Sequence, residues 1–78
     1  NNTYSWFLLA DLYSEYDLPK AHYATAERYF LLGDYPMSYK FTVKSLKEIE
    51  KNTPEWYRAN DLLNIMTRKK EEEKESEN

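Results

Sequence analysis

His22 is the only imidazole in this 78-residue sequence, so acid–base, nucleophilic and metal chemistry must run through it or do without it. A zinc-protease helix needs two histidines one turn apart and a glutamate base, and one histidine cannot supply them. A Ser-His-Asp arrangement would take His22 as its base. No serine, however, sits in a nucleophile elbow, and the single glycine, Gly33, leaves neither an oxyanion loop nor a phosphate-cradling loop. The chain has no cysteine, which removes thiolate ligands, thiol nucleophiles and disulfides and leaves the compartment open. Carboxylates are plentiful, but the dense run Glu71, Glu72 and Glu73 lies in a solvated tail rather than opposite another acid. His22 therefore reads as a half-buried helix residue near a hairpin. The sequence points away from an enzyme, a metal site or a bound cofactor.

Two patterns suit binding better than catalysis. Lys40, Lys44, Lys47 and Lys51 follow one another at helical spacing, a basic stripe that reads as a solvated back face or as a cradle for acidic groups. The sequence is also 17% aromatic, with eight tyrosines, three phenylalanines and two tryptophans. Trp6, Tyr13, Tyr29, Phe41 and Trp56 are the rings placed in the core. The net charge of −3 and a pI near 5.1 argue against a nucleic-acid partner. No apolar run approaches the roughly 20 residues that a membrane span requires. With no initiator Met before Asn1-Asn2-Thr3, the chain reads as a segment of a longer protein.

The elements that hold these side chains are written in turn residues. Thr3 is a candidate cap for a first helix over about 4–16, with Trp6, Leu9, Ala10 and Tyr13 on its inner side. Asp17-Leu18-Pro19 reads as a cap with proline in the first turn, opening a helix over 18–32. Its Ala21, Ala24 and Ala26 let a neighbour approach closely. Gly33 ends that helix in a left-handed residue, and Asp34-Tyr35-Pro36 opens a third over 35–51. The inner face of this third helix carries Phe41, Ser45, Leu46 and Ile49. Thr53-Pro54-Glu55 opens a fourth over 54–67, with Trp56, Ala59, Leu62, Leu63 and Met66 as its apolar stripe. Residues 68–78 offer nothing to bury and read as a helical extension or as disorder. Nothing alternates with period two, so the fold class is all-α.

The spacing of the landmarks is that of a repeat. Trp6, Leu9, Ala10 and Tyr13 follow W-x-x-L-small-x-x-Y, and Ala26 and Tyr29 precede Gly33-Asp34-Tyr35 by the matching steps. This resembles the first helix and turn of a tetratricopeptide (TPR) repeat, in which the small residue lets two helices touch. There are departures. His22 stands where a large aromatic is usual, Ser38, Thr42 and Ser45 stand where alanine or an aromatic is usual, and the closing proline comes late, at Pro54. The order Trp6/Leu9/Ala10/Tyr13, then Ala26/Glu27/Tyr29/Leu31/Gly33/Asp34, then Thr53/Pro54/Trp56/Arg58/Ala59/Asp61 is similar to the C-terminal TPR region of bacterial periplasmic HExxH zinc metalloproteases. The middle block is off that family's spacing by one residue.

The resemblance implies four antiparallel helices over residues 1–67, forming hairpins of a right-handed α-solenoid. It also implies a periplasmic location and a repeat domain that engages substrates or the outer-membrane assembly machinery. The family's zinc site cannot lie in a chain with one histidine. On the TPR register, Tyr4, Phe7, Tyr23 and Phe30 look into a concave groove, with Asp11, Lys20 and Glu27 beside them. The expected activity is that of a non-catalytic module binding a protein or peptide. The alternative is a structural cap of a solenoid, with no ligand of its own, that forms a homo-oligomer through the bare face at 3–16. A polyanion binder using the lysine stripe ranks last, and membrane insertion is not expected.

Overall fold

The computed structural model describes residues 2–76, which form four helices and no strand: α1 (Asn2–Tyr13), α2 (Leu18–Leu31), α3 (Tyr35–Glu48) and α4 (Pro54–Ser76). Three of the four starts follow from local chemistry. The Asp17 carboxylate accepts from the Lys20 amide at 3.2 Å and that of Asp34 from the Met37 amide at 3.3 Å. The Thr53 hydroxyl accepts from the Trp56 amide at 3.2 Å. Pro19, Pro36 and Pro54 occupy first-turn positions, where a missing N–H costs nothing.

The corner between α2 and α3 closes on Gly33, whose φ is +80°. The Asp34 amide donates to the Tyr29 carbonyl at 3.0 Å and the Gly33 amide to the Phe30 carbonyl at 3.1 Å. These two bonds satisfy the last carbonyls of α2 in a Schellman arrangement. Asp34 thus ends one helix with its amide and starts the next with its carboxylate.

α2 lies between α1 and α3, α4 packs on α3, and α2 meets α4 over a short stretch; the backbone of α1 approaches neither α3 nor α4. The seam between α2 and α3 is built from small side chains: Ala21, Ala24 and Ala26 against Ser38, Thr42 and Ser45, all buried. The Ser38 hydroxyl donates across the seam to the Ala26 carbonyl at 2.8 Å, and the Thr42 hydroxyl to the Ser38 carbonyl at 2.7 Å. Ala59, Leu62 and Met66 of α4 complete the core with Tyr23, Ala26 and Ile49.

The structure corrects several expectations. Thr3 does not cap α1, because the helix already includes Asn2, and α1 stops at Tyr13 in a turn rather than running to residue 16. α3 ends at Glu48, short of Lys51, because Ile49 turns to extended backbone (ψ 143°) and buries its side chain in the core. Asn52, at φ 67°, then redirects the chain into α4. α4 runs unbroken through Ser76, so the charged tail is helix as far as it is described; Glu77 and Asn78, like Asn1, lie outside the described residues. The five rings placed in the core are all only half-buried. Trp6, Phe41 and Trp56 line its margin, while Tyr13 and Tyr29 lie outside it. A body of 46 × 28 × 16 Å is too thin to enclose large rings on every side.

Candidate functional site

The groove expected from Tyr4, Phe7, Asp11, Lys20, Tyr23, Glu27 and Phe30 divides into two unlike places. Tyr23 and Glu27 are 7% and 5% exposed and cannot line an open surface. The Tyr23 hydroxyl donates to Glu27 Oε2 at 2.7 Å. From α4, Arg58 donates Nε to Oε2 at 2.9 Å and Nη2 to Oε1 at 3.1 Å, a two-pronged grip on one carboxylate. The guanidinium also lies over the Phe30 ring at 5.8 Å, and Trp6 meets Tyr23 edge-on at 5.7 Å. Burial, together with the Glu27 carboxylate, pushes the Tyr23 phenol well above its ordinary range. The hydrogen bond to Glu27 raises Arg58. These groups are committed to one another and hold α2 to α4. Arg58 is 31 residues from Glu27, so no local pattern announced the pair.

The remaining groove candidates stay near the surface on α1 and at the start of α2. Tyr4 and Phe7 are exposed and stacked with centroids 6.3 Å apart, and Arg28 reaches from α2 over Phe7 at 5.1 Å. Asp11 is exposed on the same helix. Lys20 is half-buried, 4.0 Å from Asp17 and over the Tyr13 ring at 5.7 Å. Phe30 is half-buried against Tyr35. Beside Tyr4 and Phe7 the structure adds Leu8 and Leu12, 48% and 52% exposed, and Tyr16 just past the helix end. The signal for them was present: α1 is apolar on nearly all sides, as in a helix flanked on both sides. The outer face of α4 contrasts with it, presenting Tyr57, Asp61, Asn64, Thr67 and Arg68 to solvent.

Lys40, Lys44 and Lys47 are exposed along α3, with Lys44 over the Phe41 ring at 5.3 Å. Lys51 leaves the stripe because α3 ends before it. His22 is half-buried, its ring 5.8 Å from that of Phe41. Burial, with Lys44 nearby, lowers its pKa below the ordinary value of 6.5. Among the described residues no cluster of three metal-ligating side chains occurs, and no helix is long and apolar enough to cross a membrane. An open groove of about 660 Å³ lies between the start of α3 and the far half of α4, with Tyr35 and Tyr39 facing Lys69 and Lys70. Lys69 is already drawn over the Tyr35 ring at 5.1 Å.

Compared with known proteins, the chain matches no family model, no curated protein and no solved structure.

Proposed function

We propose that this chain is a non-catalytic, TPR-like interaction module that binds a protein or peptide through the outer face of α1. One observation carries this: Tyr4, Phe7, Leu8 and Leu12 are large apolar side chains exposed on a helix whose backbone approaches α2 alone, with Tyr16 exposed just past its end. Surfaces of that kind mark sites of association. The parallel with the TPR region of periplasmic metalloproteases makes such a protease the natural parent. It rests on the residues of the three helix blocks, and an HExxH motif in the coding sequence upstream of Asn1 would support it.

Placing a photo-crosslinking side chain at Leu12, and separately at Asn64 on the polar face of α4, tests the assignment in cells. Discrete protein adducts from Leu12 and none from Asn64 are the expected result. Absence of adducts at Leu12 overturns it.

A second reading, a structural cap that closes a helical array, draws on the polar outer face of α4. Terminal repeats carry such a face because nothing stacks on them. The cap predicts that adducts from Leu12 form only within its own polypeptide.

A further inference from the structure

Resting on the interaction reading, we propose that the outer face of α1 receives a basic amphipathic helix, seated on Leu8 and Leu12 and flanked by Asp11 and Glu15. Leu8 and Leu12 stand one turn apart on α1, so both present to the same side of the helix. Leu8 and Leu12 are about half exposed, and the backbone of α1 approaches no element but α2.

Charge selects the partner. From Asn2 to Pro19 the chain carries Asp11, Glu15 and Asp17 and no lysine or arginine. The first cation, Lys20, is already drawn to Asp17 and the Tyr13 ring. The last turn of α1 also contains no basic residue to offset its negative end. Asp11 and Glu15 are exposed there, so the C-terminal half of the face presents uncompensated negative charge beside apolar surface. Arg28, the other cation on α2, lies over the Phe7 ring, one turn before Asp11.

The same charges disfavour a second copy as the occupant. A twofold pairing of α1 with α1, centred between Leu8 and Leu12, would bring each Asp11 beside its counterpart. It would also rest on a single 12-residue helix, a small contact for a stable dimer. A basic helix gains at both acidic positions, and the small contact makes the complex weak and salt-sensitive.

Two designed helical peptides with the same leucine seam, one flanked by lysine and one by glutamate, serve as probes. Each is titrated into the full chain while the Leu8 and Leu12 methyl signals are followed by NMR. The lysine probe shifts both methyls and binds about tenfold more tightly than the glutamate probe, two exposed charge pairs at the upper end of their usual worth. Asp11→Lys combined with Glu15→Lys, both at exposed positions, reverses the preference without loss of helicity. Equal binding of the two probes, or no reversal, overturns the proposal. So does concentration-dependent dimerisation abolished by Leu8→Glu, which makes a second copy the occupant. If neither probe moves the methyls, the basic-helix assignment fails alone, and the interaction reading is judged by the Leu12 crosslinks.

Discussion

Ser45 and Ser38 differ by one hydrogen bond. Both hydroxyls are buried in the seam between α2 and α3, but Ser38 donates to Ala26 while Ser45 Oγ has no partner. An unsatisfied buried hydroxyl costs about 1–3 kcal/mol. Ser45→Ala should therefore stabilise the fold by about 1 kcal/mol, raising Tm by roughly 5 °C. Ser38→Ala removes a made bond and should lower stability by about 1 kcal/mol. Paired thermal melts check both. His22 supplies a pH prediction, since it is the only histidine and its folded pKa lies below 6.5 through burial first and Lys44 second. Below the unfolded pKa the unfolded chain takes up a proton that the folded chain resists. Stability should thus fall as pH drops from 7.5 through 6.5, levelling off below the folded pKa. Denaturant titrations at pH 7.5 and 5.5 should show a smaller loss for His22→Gln than for the parent.

At the scale of elements, what could be read in advance was what neighbouring residues decide. Asp17, Asp34 and Thr53 with their prolines announce three helix starts, and Gly33 announces the corner, because caps and turns act within a few residues. The end of α3 could not be read in this way. Lysines and glutamates continue the helical pattern to Lys51, but burial of Ile49 in a core assembled from other helices ends the helix at Glu48. The same limit misplaced Tyr23 and Glu27, which look like groove residues until Arg58 arrives from α4. Gly33→Ala tests the corner. A Cβ there meets nothing within 4 Å, so only the positive φ opposes it. The expected cost is about 1 kcal/mol, with helicity retained. A larger loss in denaturant titration would mean the corner is crowded.

Across the whole molecule, α4 is held to α3 by the apolar core and to α2 by the grip of Arg58 on Glu27. The two partners differ in exposure, with the Arg58 side chain 40% exposed and that of Glu27 6%. Arg58→Met therefore leaves a buried carboxylate with only the Tyr23 hydroxyl as its partner and should cost about 3 kcal/mol. Glu27→Gln leaves a guanidinium that can turn to water and should cost less. Equal losses in chemical denaturation would contradict this asymmetry. The attachment of α1 differs from that of the other helices, since it leans on α2 alone. Free energies of local opening follow packing, and α1 has no fully buried residue, so it should swing away from α2 as a unit while α2, α3 and α4 stay folded. Amides of Trp6 through Tyr13 would then exchange with solvent deuterium well before those of Ala24 or Thr42. A bound helix that touches only α1 would slow that exchange, so binding would tighten a helix that buries none of its own residues fully.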